Sequence, residues 1–238
     1  MRIVAKDDCF IAFTMAELMK RSVPVALLAR EEKVHSQVLV DALDSLVPDP
    51  YVVGPLVPNP YAMPFQIHRT SLGVSGADLI VIGSFSDVTI RLYKHKVGGW
   101  RFFELHDRLP YKDAMAQLFD REPLIAPEKS MENTVRLFEY YQQKSPGAKK
   151  LWINYPYVSG DMLAWDSPYA AMQGEPMRLR FERFTSLSHS ILAPLGVAIL
   201  DIPPGIVQSR NAVEPWHYTD PTYTYAATMV ANLMGVSP

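Results

Sequence analysis

The stretch MRIVAKDDCFIAF, residues 1–13, decides how the chain is read. A short apolar run, Arg2-Ile3-Val4-Ala5, passes through Lys6 into two adjacent acids, and apolar positions at helical spacing begin at Phe10. An apolar run that does not alternate suits a strand covered on both faces, as in a parallel sheet. The junction that follows, Asp7-Asp8-Cys9, lies where a strand exit meets a helix N-terminus. Open α/β sheets collect their ligands at such exits, because helix N-termini present backbone N–H groups there.

The same pattern recurs downstream. Residues 77–83 (ADLIVIG), 150–155 (LWINY preceded by Lys150) and 197–202 (VAILDI) are further short apolar runs. Between them lie amphipathic helical patterns over Phe10 to Arg21, Pro127 to Lys144, Met177 to Leu195 and Asp220 to Met234. Strand alternating with helix predicts an α/β fold, a three-layer doubly wound and mainly parallel sheet of flavodoxin-like type. Asp220-Pro221 reads as an N-cap before a first-turn proline, and Gly235 as the left-handed cap at the far end.

A chain of 238 residues suits one domain with one core, spanning 1–238. Two stretches interrupt the alternation. Residues 47–65 (VPDPYVVGPLVPNPYAMPF) are too proline-rich for regular helix or central strand and form an excursion that is a candidate lid or an irregular packed connection. Residues 88–106 alternate in part around Gly98-Gly99, as in an inserted hairpin.

Composition narrows the function. Apolar residues at 48% and charged residues at 20% are globular values. With 23 basic and 25 acidic residues the net charge is -2, so no long-range positive field draws in nucleic acid or an anionic membrane. A single cysteine excludes an internal disulfide, and the first residues lack a secretion-signal pattern, so the cytoplasm is the expected location. No uncharged apolar run approaches the roughly 20 residues that span a bilayer, so no membrane insertion is expected. H-E-x-x-H, paired C-x-x-C, the calcium-loop pattern, the P-loop and a strand-linked G-x-G-x-x-G are all missing. Neither a metal nor a cofactor is expected.

Four strand exits then hold the candidate chemistry: Lys6 to Cys9, Gly83 to Asp87, Asn154-Tyr155-Pro156, and the loop 203–219 with Arg210, Asn211, Glu214 and His217. In Glu214-Pro-Trp-His217 a carboxylate precedes a histidine by three residues, just ahead of the terminal helix. A carboxylate on one ring nitrogen fixes the tautomer and leaves the other nitrogen as a base. The alternative is a surface histidine with an unrelated acid nearby. For Cys9, the helix N-terminus favours a thiolate while Asp7 and Asp8 oppose it, and plain core packing is the other role. Arg69 and Arg210 carry positive charge suited to an anionic group of a substrate.

The order of these parts resembles the SGNH (GDSL-type) hydrolase family, a three-layer α/β family whose first strand ends in a Gly-Asp-Ser nucleophile turn. Its acid and histidine form a D-x-x-H motif before the last helix. The matching positions here are Asp7-Asp8-Cys9 and Glu214-Pro-Trp-His217. The chain also looks like SGNH-related domains encoded beside polysaccharide-assembly genes, which carry a Gly-Ser-Cys turn at this place. The resemblance implies an acyl hydrolase or acyltransferase acting on an ester of a saccharide or small biosynthetic intermediate. It gives His217 the role of base and Glu214 that of orienting acid, with Cys9 or Asp8 in the nucleophile's place. Ser84, Asp87, Asn154 and Arg69 would surround the substrate and its oxyanion. The family's Gly-x-Asn-Asp block falls on Ser84-Phe-Ser-Asp87, without the asparagine, and the turn at 7–9 has no serine. These departures support an alternative, a catalytically altered SGNH-like binding or assembly module in polysaccharide biosynthesis.

Overall fold

A computed structural model of the chain describes residues 1–7, 9–54, 70–103, 113–155, 175–208, 210 and 217–236. Its strands are β1 (Arg2–Asp7), β2 (Ala26–Glu32), β3 (Leu79–Gly83), β4 (Leu92–His95), β5 (Arg101–Phe103), β6 (Phe119–Arg121), β7 (Lys149–Asn154) and β8 (Ala198–Asp201). Its helices are α1 (Cys9–Lys20), α2 (Ser36–Leu43), α3 (Pro50–Val53), α4 (Phe85–Thr89), α5 (Asp113–Leu118), α6 (Pro127–Lys144), α7 (Glu175–Leu187) and α8 (Asp220–Met234).

The apolar runs become the sheet interior. Ile3, Val4, Ala5 and all five residues of β3 are buried. They pair in parallel register, Ile3 with Leu79 through Lys6 with Ile82. The parallel sheet has five strands in the order β2-β1-β3-β7-β8. Strand order therefore reverses between β1 and β3, and in a doubly wound sheet the crevice for a ligand opens beyond the carboxyl ends at that reversal. Right-handed crossovers put α1 on one face and α2, α6 and α7 on the other. In agreement, α1 packs on α8, while α6 packs on both α2 and α7. Phe10 anchors the first of these faces. Fully buried, its ring meets Tyr155 at 5.3 Å, Tyr223 at 5.5 Å and Tyr218 at 5.7 Å between centroids.

Several elements depart from the sequence reading. β2 and α2 were not expected. β2 (ALLAREE) is an edge strand whose Leu27 is 42% exposed, so the continuous apolar signal of a central strand is missing. α2 starts on His35, whose Nδ1 accepts from the Gln37 backbone N–H at 3.1 Å, a capping residue outside the usual Ser, Thr, Asp and Asn set. The pattern over 177–195 is one α-helix only to Leu187. It continues as a π-turn over Ser188–Leu192 and a 3₁₀ turn over Ala193–Leu195, where Pro194 has no N–H to extend the α ladder. Asp220 is the first residue of α8 rather than its cap; Thr219 holds the cap position and its hydroxyl donates to Gln208 Oε1 instead.

In the window 88–106, β4 and β5 pair antiparallel, and β6 joins the other edge of β4 to make a three-stranded sheet. The turn between them needs both glycines: a Cβ at Gly98 would sit 2.5 Å from Trp100 Nε1, and Gly99 has φ +70°. Within 47–65, Asp49 caps the single turn Pro50–Val53, and residues 55–65 lie outside the described residues. Among the described residues no helix is long and apolar enough to cross a membrane.

Replacing Phe10 by Ala removes a ring packed between α1, α8 and the exit of β7. We expect a loss of about 3–5 kcal/mol in urea denaturation. An unchanged midpoint would show that this aromatic cluster does not hold the α1–α8 layer to the sheet.

Candidate functional site

Lys6 is the one charged residue in the interior of β1, and its side chain is 1% exposed. A buried ammonium needs a partner. Its Nζ donates to Gly83 O at 3.1 Å and to Asp87 Oδ1 at 3.1 Å, so it ties the exits of β1 and β3 together. Asp87, fully buried at the centre of α4, also accepts from the Ser36 backbone N–H at 2.8 Å and from the hydroxyls of Ser36 and Ser130. Burial alone pushes this carboxyl up. The Lys6 ammonium and the hydrogen bonds from Ser130 and Ser36 outweigh it and hold the group well below the usual carboxylate range. His35 Nδ1 lies 3.8 Å from Asp87 Oδ1. Because that nitrogen accepts from Gln37 N–H, the proton sits on Nε2. Burial pushes the imidazole down to about 4, so the ring is neutral near neutral pH and its contact with Asp87 is not an ion pair.

A second network fixes the exits of β7 and β8. Trp152 Nε1 donates to Asn154 Oδ1 at 2.6 Å, and Asn154 Nδ2 donates to Asp201 Oδ1 at 2.9 Å and Ser188 Oγ at 2.8 Å. Asp201 Oδ2 in turn meets His189 Nε2 at 2.8 Å on the protein surface. Ser84, also buried, donates its hydroxyl to Ile153 O at 3.4 Å.

The third group lies on the opposite face of the sheet. Cys9 is the first residue of α1 and half-buried, and Phe13 follows one turn later on the same side of the helix. The His217 ring stands edge-on to Phe13, 5.8 Å between centroids. Arg210 N donates to His217 O at 2.6 Å and Thr219 N to Gln208 O at 2.8 Å, an antiparallel backbone pairing. Cys9 at the start of α1 and His217, three residues ahead of α8, are thus linked through Phe13, which lies one helical turn after Cys9 and meets the His217 ring.

The candidates named from sequence therefore divide. Cys9 lies one helical turn before Phe13, the residue that the His217 ring meets. Ser84, Asp87 and Asn154, expected around the substrate, have their side chains committed inward, Asp87 to Lys6 and Asn154 to Trp152, Ser188 and Asp201. Asp8, Arg69, Asn211 and Glu214 lie outside the described residues. Lys6, His35, Ser36 and Ser130 were missed. The available signal was a lysine inside a strand that is otherwise apolar, which implies a buried carboxylate partner. Among the described residues no group of three or more His, Cys, Asp or Glu side chains is placed to hold a metal ion.

No family model matches this sequence, and no curated protein matches it. Solved structures do. One crystal structure covers 98% of this chain and 98% of its own with a TM-score of 0.54 at 10% identity. A second, described as a GDSL-like lipase from Parabacteroides merdae, covers 99% of this chain and 96% of its own with a TM-score of 0.50 at 12% identity. At such identities the likeness shows the fold alone: a mainly parallel five-strand sheet flanked by helices, as in that GDSL-like lipase.

Two outcomes follow from the buried pair. Lys6→Ala strands the Asp87 carboxylate and should cost about 3–5 kcal/mol, whereas Lys6→Met combined with Asp87→Asn removes both charges and should recover part of it. Equal losses in denaturant would mean that the charge pair is not what holds the exits. For pH, the folded His35 titrates near 4 and the unfolded one near 6.5, so between these values only the unfolded chain binds the proton. Stability therefore falls as pH drops from 6.5 towards 4, and His35→Gln should flatten that part of the profile. The depressed Asp87 carboxyl extends the loss below its unfolded value of 3.8.

Proposed function

We propose that the protein is an SGNH-like acyl hydrolase or acyltransferase of the cytoplasm, acting on an ester of a saccharide or a small biosynthetic intermediate. The observation that supports this reading most is the T-shaped contact of the His217 ring with Phe13, one helical turn after Cys9 on α1. In this scheme His217 takes the thiol proton as Cys9 sulfur attacks the ester carbonyl. The carbon–oxygen bond breaks and the proton passes to the departing alcohol. His217 then deprotonates a water or an acceptor hydroxyl, which attacks the thioester and releases Cys9. The N-terminus of α1 favours the thiolate and offers backbone N–H groups to the oxyanion. Glu214 would orient the imidazole, and Asp8 is the other residue at the nucleophile's position.

A second reading, a binding or assembly module without catalysis, is favoured by the inward commitment of Ser84, Asp87 and Asn154 and by the missing serine at 7–9. Two measurements separate them. His217→Ala should lower turnover of para-nitrophenyl acetate and acetylated saccharides by about a hundredfold or more with the circular dichroism spectrum unchanged. Undiminished turnover removes the assignment. Stoichiometric labelling of Cys9 by iodoacetamide should be fast and should slow in His217→Ala; an inert thiol in both forms favours the binding module.

A further inference from the structure

Arg210 stands directly opposite His217 in the short antiparallel pairing made by the Arg210–His217 and Thr219–Gln208 backbone hydrogen bonds. Residues opposed in this way carry their side chains on one side, with Cβ atoms about 4.5–5.5 Å apart. Phe13 bears this out, because it receives both: the His217 ring at 5.8 Å and the Arg210 guanidinium at 5.7 Å from its centroid. The guanidinium is exposed and has no carboxylate partner among the described residues. Nearby acid on α1 is already engaged, since Glu17 pairs with Lys20 and Arg21. A guanidinium lying on an aromatic ring loses little of its hydrogen-bonding fork, which remains free to take two oxygens of one anion.

We infer that Arg210 makes the His217 corner selective for anionic esters, substrates with a carboxylate or phosphate a few bonds from the reacting carbonyl. This rests on the acyl-transfer reading and narrows its substrate class. The anionic group pairs with Arg210 while the carbonyl reaches the start of α1. A neutral ester of the same size lacks the first contact. The charge sits either on the acyl side, as in a dicarboxylate monoester, or on the leaving-group side, as in an acyl phosphate.

The test compares kcat/KM for mono-para-nitrophenyl succinate with that for para-nitrophenyl butyrate, and for acetyl phosphate with that for para-nitrophenyl acetate. Wild-type protein should prefer the charged member of at least one pair, which also tells which side carries the charge. Arg210→Gln should lower that preference about tenfold or more, Arg210→Lys should keep part of it, and added salt should weaken it. Preference unchanged in Arg210→Gln overturns the inference and leaves the acyl-transfer reading intact. If no ester is turned over by the wild type, succinate binding by calorimetry decides. Binding kept in His217→Ala but lost in Arg210→Gln upholds the anion site while the catalytic reading fails, and binding unaffected by Arg210→Gln overturns it.

Discussion

The contact between Lys6 and Asp87 ties the exits of two paired strands to the helices that cover them. Lys6 is the penultimate residue of β1, Asp87 belongs to the turn of helix after β3, and the serines that complete the carboxylate's shell come from α2 and α6. An ammonium and a carboxylate with 1% and 0% exposure persist only because each satisfies the other and the neighbouring donors and acceptors complete the set. The pair therefore fixes the positions of β1 and β3 at their exits, the place where a doubly wound sheet reverses its order. Any site at that reversal inherits its geometry from this tie.

How far the sequence alone carries can be judged from single elements. β1, β3 and β7 are legible because a strand covered on both faces is mostly apolar, and a continuous apolar run has few other readings; β8, at the sheet edge with only Leu200 buried, is legible from its apolar composition alone. α6 and α8 announce themselves by helical spacing and proline in the first turn. β2 lies at an edge with Leu27 and Leu28 exposed, the carboxylate of its buried Glu31 accepts from the Ser71 backbone N–H, and α2 begins on a histidine, so neither carries its usual mark. At the site, the sequence names Cys9 and His217 because each occupies a recognisable boundary. It cannot tell that Asp87 faces Lys6, since direction depends on which helices cover the sheet.

The two faces of the sheet divide the work. On the α2, α6 and α7 face, charged and polar groups are locked in a dense internal network and act as framework. On the α1 and α8 face, the framework is aromatic: Phe10, Tyr218 and Tyr223 pack beneath, and Phe13, His217 and Arg210 lie above them. Aromatic packing tolerates a polar tip at its rim, so this face can present reactive groups without burying them.

The aromatic cluster around Phe10 also sets an order of events during synthesis. Phe10 leaves the ribosome well before its partners Tyr155, Tyr218 and Tyr223. The strand before it gains its second neighbour only when residues 79–83 have emerged. The apolar face of α1 must then wait for Tyr218 and Tyr223, so a nascent chain carries an incompletely covered hydrophobic helix while the intervening residues are made.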